Sequence, residues 1–239
     1  MDASIEKLRR WIAESDNIVF FGGAGVSTES GIPDFRSQDG LYNLSYKYPP
    51  ETIISHSFFE ANPEEFFRFY RDKLIAPDSV MPNTAHLRLA SLEAEGKLRA
   101  VITQNIDGLH QKAGSRHVIE LHGSVHRGYC ARCGVPCDPK LVNYGEDLPR
   151  CRCGGILRPD VVLYEEGLNE KDISDAIHYI RHADVLIVGG TSLAVYPAAG
   201  LLNYYQGHKL VLINRGATSY DSAADLVIRE NIGQVFAQV

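Results

Sequence analysis

The stretch that most constrains this chain is Asn17-Ile18-Val19-Phe20-Phe21, which runs directly into Gly22-Gly23-Ala24-Gly25. The apolar, β-prone run predicts a buried strand. Glycines at a strand end let backbone approach a pyrophosphate closely, and Ser27 or Thr28 can cap the segment that follows. A G-x-G-x-x-G dinucleotide pattern would need glycine at position 28, where this chain has Thr28. The chain adds instead Gly31-Ile32-Pro33-Asp34-Phe35-Arg36, a loop that sets an aromatic and a cation beside the phosphates. Hydride transfer needs no such loop. A reaction that cleaves NAD has a use for one.

Further apolar runs at residues 99–103, 185–188, 209–213 and 225–228 alternate with helical patterns at 64–74, 84–95 and 170–182. That alternation predicts an α/β fold with a doubly wound, Rossmann-like parallel sheet, whose ligands bind beyond the C-terminal strand ends. Residues 22–25, 104–107, 189–192 and 214–216 all follow predicted strands and can converge on one crevice. Two stretches interrupt the pattern. Residues 32–80 are rich in Pro, Tyr and Phe, and residues 126–158 hold all five cysteines. The expected organisation is a single catalytic domain. Its large lobe comes from about 1–31, 81–125 and 159–239, and its small lobe from a helical insert at 32–80 and a zinc insert at 126–158.

At 239 residues and 44% apolar content the chain suffices for one sizeable core. A formal charge of −6 argues against a broad nucleic-acid surface and tolerates basic partners such as lysine-bearing peptides. The first residues place Ile5, Leu8 and Ile12 at helical spacing among charges, an amphipathic surface helix rather than an export signal. No apolar run is long enough to span a bilayer. A cytoplasmic protein with reduced cysteines, no membrane contact and no direct nucleic-acid binding is expected.

Cys130-Ala-Arg-Cys133 is a CxxC knuckle, separated by seventeen residues from Cys151-Arg-Cys153. Two such pairs predict a tetrahedral zinc site. Gly154 and Gly155 can accommodate the tighter CxC turn, and Cys137, without a paired neighbour, reads as a spare. Four thiolates leave no open coordination position, so the metal is expected to be structural. Elsewhere, Gln104-Asn105-Ile106-Asp107 crowds polar groups at a strand end, a pattern that also suits a helix cap. His122, in Glu120-Leu121-His122-Gly123, is the group best suited to take a proton near neutral pH, and a structural histidine would read the same way. Gly190-Thr191-Ser192 suits a phosphate or ribose, and Asn214 a ribose hydroxyl; both segments could equally be ordinary strand-to-helix turns.

In order along the chain stand GAGVSTESGIPDFRSQDGLY, TQNIDGLHQKAG, ELHGS, the cysteine pairs, CGGILRPDVV, GGTSLAVYPA and LINRG. This set resembles the sirtuins, NAD-dependent protein deacylases, in a bacterial or archaeal form. The resemblance implies a large NAD-binding domain and a small lobe with a zinc module and a helical module. It implies NAD as co-substrate, one structural zinc ion held by Cys130, Cys133, Cys151 and Cys153, and acyl-lysine proteins or peptides as substrates. It places Gly23, Ala24, Gly25, Phe35, Arg36, Tyr42, Gln104, Asn105, Ile106, Asp107, Gly190, Thr191, Ser192, Asn214, Arg215 and Ile232 around NAD, with Asp107 on the nicotinamide carboxamide. His122 is the implied general base, and Asn105 the second catalytic residue.

In the chemistry so implied, the acyl-lysine amide oxygen attacks C1′ of the nicotinamide ribose as nicotinamide leaves. The base then activates the ribose hydroxyls, the 2′-oxygen attacks the imidate carbon, and water completes the reaction to give free lysine, nicotinamide and 2′-O-acyl-ADP-ribose. The peptide would add as a strand between two backbone segments, with Val162, Tyr164, Glu166 and Val195 as its binding residues. The family's Phe-Gly-Glu is here Tyr164-Glu165-Glu166, so Glu165 would be strained if that position needs φ > 0. Sirtuins that favour acidic acyl groups carry Tyr-x-x-Arg in the small lobe. Aligned through Glu64-Glu65-Phe66, those positions fall on Phe67 and Tyr70, with Arg71 one residue late. Acetyl or longer neutral chains are therefore expected over acidic ones, unless Arg68 or Arg71 reaches the pocket. Alternatives are a long-chain deacylase, an ADP-ribosyltransferase or NAD hydrolase on the same scaffold, or a non-catalytic NAD-sensing scaffold.

Overall fold

The computed structural model describes residues 2–35, 40–41, 46–145 and 147–239. In chain order its strands are β1 (Ile18–Gly22), β2 (Leu98–Thr103), β3 (Val118–Glu120), β4 (Gly123–Cys130), β5 (Pro136–Cys137), β6 (Leu157–Val161), β7 (Val185–Gly189), β8 (Leu210–Ile213) and β9 (Leu226–Ile228). Six of them form one parallel sheet in the order β3-β2-β1-β7-β8-β9. Because β1 lies inside that sheet, Ile18, Val19, Phe20 and Phe21 are all fully buried. Burial on both faces explains why its sequence is an unbroken apolar run rather than an alternating one. Each such large side chain contributes about 1.5–3 kcal/mol.

The strand order decides where a ligand can sit. From β1 the chain winds outward through β2 to β3, then returns beside β1 as β7 and winds the other way. The loops leaving β1 and β7 therefore diverge, and a crevice opens between them at the C-terminal ends of the strands. Residues 118–120 were not among the expected strands. Three residues are too few to show a period, and pairing with β2 makes them a strand.

Helices cover both faces. Helix Ala3–Glu14 starts at Asp2, whose carboxylate accepts from the Ser4 N–H at 2.7 Å. It buries Ile5, Leu8, Trp11 and Ile12 in the same cluster as Phe20 and Val101. Helix Thr84–Ala94 joins that face through Ala85, Leu89 and Leu92, while helix Glu170–His182 packs Ala176 and Ile180 on the other face.

A second, antiparallel sheet has the order β5-β4-β6. Its apolar side shares one cluster with helix Pro63–Lys73: Phe66, Phe67 and Tyr70 pack with Val125, Leu157 and Val161. The aromatic-rich stretch and the cysteine stretch are thus one packed body, although residues 81–125 separate them in sequence. β4 begins at Gly123 and β6 ends at Val161, so this sheet extends past the expected 126–158 insert at both ends. No helix among the described residues is long and apolar enough to cross a membrane.

Two buried histidines lie behind the β2 loop. The rings of His86 and His110 are 4.7 Å apart and T-shaped, with exposures of 0% and 1%. His86 Nδ1 accepts from the Asn83 N–H at 3.3 Å, while both His110 ring nitrogens lack a partner among the described residues. Burial pushes His86 down to about 4 and His110 down to about 3 from the ordinary 6.5. Above pH 6.5 both are neutral whether folded or unfolded, and their contribution to stability is fully present. Below it the unfolded chain binds protons that the folded chain refuses, so stability falls as pH drops from 6.5 toward about 4. The urea midpoint should therefore decline between pH 7 and pH 5, and decline less in His110→Leu; parallel profiles for the two proteins would exclude this source.

Candidate active site

The glycines after β1 allow a contact that no other residue permits. The Gly25 N–H donates to the Gly190 carbonyl at 2.7 Å, and Gly190 has φ 59°. A Cβ on Gly190 would lie 2.3 Å from the Val26 nitrogen, and one on Gly25 would lie 2.8 Å from the Gly190 oxygen. Backbone is all that can pass here, so the two loops form a cradle at the fork between β1 and β7. The segment that follows is two short 3₁₀ turns, Ala24–Val26 and Thr28–Ser30. Neither Ser27 nor Thr28 caps a helix, contrary to expectation. The Thr28 hydroxyl donates back to the Gly25 carbonyl at 3.0 Å.

Ser27 instead organises the polar floor. It is 1% exposed, and its hydroxyl donates to Asp107 Oδ2 at 2.7 Å while accepting from Asn105 Nδ2 at 3.1 Å. The other Asp107 oxygen accepts from the Leu109 N–H at 2.9 Å. Asp107 is half-buried and held by these two bonds, and like Ser27 it is not among the residues on the cavity wall. Ser27 was missed as a site residue because a serine after glycines reads first as a cap. Glu29 was missed too: it accepts from the Gly233 N–H at 2.6 Å and fixes helix Ile232–Phe236 beside the cradle.

A cavity of about 560 Å³ extends from this cradle toward β6 and helix Pro63–Lys73. On its walls lie Gly23, Ala24, Gly25, Phe35, Gln104, Asn105 and Ile106, with Gly190, Thr191, Ser192, Asn214, Arg215 and Ile232. Val162, Tyr164, Glu166 and Val195 line its other end. Arg36 and Tyr42 lie outside the described residues.

His122 stands between the two ends. Its position follows from Gly123, which has φ 75° and where a Cβ would fall 2.0 Å from the Asp160 carbonyl oxygen. Only glycine lets β4 start so close to β6, and the Val162 N–H then donates to the His122 carbonyl at 3.0 Å. The imidazole Nδ1–H donates to the Gln104 carbonyl at 3.0 Å. Gln104 is itself fixed, its N–H on the Gly22 carbonyl at 3.0 Å and its amide on Thr191 Oγ1 at 3.1 Å. Burial lowers the His122 pKa, opposed in part by the Gln104 carbonyl. The ring is thus a neutral Nδ1–H tautomer whose Nε2 lone pair can accept a proton.

The expected strain at Glu165 is present, with φ 77°. A left-handed residue of this kind costs about 1–2 kcal/mol. The Glu165 carboxylate offsets it by accepting from both the N–H and the hydroxyl of Ser57, each at 2.9 Å. The Glu166 side chain is occupied as well. It takes Arg158 in a two-pronged pair at 2.6 and 3.0 Å and lies 2.8 Å from His56 Nδ1. Its N–H donates to the Leu163 carbonyl at 3.1 Å, so what Glu166 leaves for a peptide is its backbone carbonyl.

At the helical end the wall consists of Ile54, Phe66, Tyr70 and Leu74. Of the two positions aligned with the acidic-acyl pattern, Tyr70 is on this wall and Phe67 is fully buried in the core behind it. Neither arginine lines the cavity: Arg71 Nε donates to the Val142 carbonyl at 3.0 Å, and Arg68 pairs with Glu65 at 2.6 Å.

The cysteines form a separate cluster. Cys130, Cys133, Cys151 and Cys153 place their sulfurs within 4.8 Å of one another, and Cys137 is not among them. Tetrahedral zinc–thiolate bonds of about 2.3 Å require sulfurs about 3.8 Å apart. The observed 3.5 Å for Cys130–Cys153 and 3.9 Å for Cys133–Cys151 fit that ion. Gly154, at φ 83°, makes the CxC turn, and Gly155 lets Cys130 approach, since a Cβ there would lie 2.7 Å from its sulfur.

A model described as the Sir2 family matches residues 23–197. The chain is 60% identical over 243 residues to an NAD-dependent protein deacetylase of Clostridium perfringens, covering 100% of this chain and 99% of that one. It is 57% identical over 239 residues to a protein of the same name from Clostridium acetobutylicum, covering 98% and 97%. A solved structure of Sir2 with a p53 peptide and NAD+ is 39% identical with a TM-score of 0.88, covering 100% of this chain and 97% of that one. Another, Sir2 bound to acetylated peptide, is 38% identical with a TM-score of 0.88 over the same shares, 100% and 97%. With relatives this similar along nearly its whole length, the chain belongs to the Sir2 family.

Proposed function

We propose that this protein is an NAD-dependent protein-lysine deacetylase that transfers the acyl group of a modified lysine to ADP-ribose and releases nicotinamide. One observation carries the reading: the His122 ring stands in a single cavity between the glycine cradle and the Val162–Tyr164 edge, with Nδ1–H donated to Gln104 and Nε2 left to accept. Bound NAD supplies an electrophilic ribose carbon, a leaving nicotinamide and the ADP-ribose that receives the acyl group. The cradle formed by Gly23–Gly25 and Gly190–Ser192 holds its phosphates, and Asn214 and Arg215 its far ribose. Asn105 presents the polar floor, tied through the buried Ser27 hydroxyl to Asp107, the group this reading gives to the nicotinamide carboxamide.

His122 takes a ribose hydroxyl proton at Nε2, a role worth about 10²–10⁴-fold. Gln104 holds the ring in the tautomer that can do so, and Gln104 itself is held by β1 and by Thr191. The substrate lies extended between the edge at 162–164 and the loop at 193–195, and the acyl group reaches the apolar wall of Phe66, Tyr70 and Leu74. The four cysteines hold a structural zinc ion that leaves no position open for chemistry. Cysteines outside disulfides fit a reducing compartment, and the cytoplasm is the location this reading assigns.

Replacing His122 with Ala should lower kcat/KM by at least about 10²-fold while NAD binding, followed by calorimetry, persists. In the intact protein the acidic limb of kcat/KM should lie below pH 6.5, because burial keeps the base neutral down to lower pH. Near-normal turnover in His122→Ala would remove the base assignment.

Metal analysis should find one zinc per chain. Cys130→Ser or Cys151→Ser should lose both the metal and the near-ultraviolet signal of the β4–β6 sheet, since binding energy at such a site is folding energy. Retained zinc in either variant would refute the ligand set.

Acetyl-lysine should be preferred to succinyl-lysine by at least about tenfold in kcat/KM, because a desolvated carboxylate without a cation costs several kcal/mol and about 1.4 kcal/mol already gives tenfold. Equal values for the two forms of one peptide would mean that a cation reaches the acyl end after all.

A further inference from the structure

Beside the acyl-lysine cavity lies a second groove of about 440 Å³, lined by Glu51, Thr52, Ser55, Ser57, Tyr164, Glu165, Ala194, Val195 and Tyr196. It shares Tyr164, Glu165, Val195 and Tyr196 with the first cavity, so it continues the same cleft outward past both peptide edges. We infer that Glu165 is a specificity-determining residue, which selects peptides carrying a lysine or arginine next to the acylated lysine. This rests on the deacetylase reading above.

Four observations converge on that residue. The acylated lysine has lost its charge, so electrostatic selection of a substrate must act on its neighbours. The groove where those neighbours lie has Glu51 and Glu165 on its wall and no lysine or arginine among its lining residues. The Glu165 carboxylate accepts from the N–H and O–H of Ser57, both neutral, so its negative charge is fixed in place without being cancelled. Glu166, by contrast, is neutralised by Arg158 and is turned inward. Tyr196, 66% exposed on the opposite wall, adds an aromatic face on which a guanidinium or ammonium can rest.

The physical scale is that of a rim charge, which affects selection and encounter rate more than tight binding. An exposed pair is worth at most about 1 kcal/mol, which is about fivefold. The test uses two acetyl-lysine peptides, identical except for Arg or Glu at the flanking positions. The full-length protein with NAD should show kcat/KM about threefold to fivefold higher for the Arg peptide at low salt, with the ratio shrinking at high salt. Glu165→Gln should bring the ratio close to one. So should Glu165→Gly, which removes the charge while relieving the left-handed backbone, and which answers the question if the glutamine variant fails to fold. Ser57→Ala, which keeps the charge, should keep the preference. A wild-type ratio near one, or a preference that survives both Glu165 variants, overturns the inference and leaves the deacetylase reading intact. No deacetylation of either peptide overturns the reading itself and the inference with it.

Discussion

Everything at the site depends on one close backbone contact. Gly25 and Gly190 bring the loops after β1 and β7 to 2.7 Å, at the point where the sheet's winding reverses. Side chains on either glycine would collide with backbone atoms, which cannot move aside as a flexible side chain can. The contact fixes the distance between two strand ends, and the polar groups that follow are placed by it. Thr191 receives the Gln104 amide, the Gln104 carbonyl receives the His122 ring, and the orientation of the proposed base is set two hydrogen bonds away from the base itself.

The second structural dependence runs between the sheets. β4 begins one residue after His122 and pairs with β6, and the chain leaving β6 is the proposed peptide edge. That edge is held from the helical side by Tyr164, whose N–H donates to the Ile54 carbonyl and whose carbonyl accepts from the His56 N–H. The buried Arg158, stacked over Phe59 and paired with Glu166, ties the same loop to the aromatic cluster. Removing one partner of such a pair strands a buried charge, so the pair specifies geometry more than it adds stability. The zinc-fitting cysteines lie at the far end of β4 and β6. They brace these two strands, with no contact to the cavity.

Hydrogen bonds at the polar floor show why burial matters to the chemistry. Asn105, Ser27 and Asp107 form a continuous chain in which each donor has an acceptor. Buried groups that satisfy one another in this way do not reorganise when a substrate arrives. Preorganised polar groups of this kind act on developing charge without first having to turn toward it.

The sequence by itself determined the architecture and most of the wall. Apolar runs ending in glycine or polar residues marked β1, β2, β7 and β8, because a central parallel strand must be apolar on both faces, and a shorter one marked the edge strand β9. The cysteine spacing marked the metal-fitting cluster, because ligand geometry constrains short turns directly. The strain at Glu165 was legible too, from a glycine replaced by a residue with a side chain. Only the tertiary structure decided the rest. β3 is three residues long and exists through its pairing with β2. Ser27 reads as a cap in isolation, yet its hydroxyl joins Asn105 to Asp107 across some eighty residues of chain. Helical rotation put Phe66 and Tyr70 on the cavity wall and Phe67 in the core behind it. Periodicity reports which residues are buried. Which neighbour each one meets is settled by contacts between distant segments, and local sequence does not encode them.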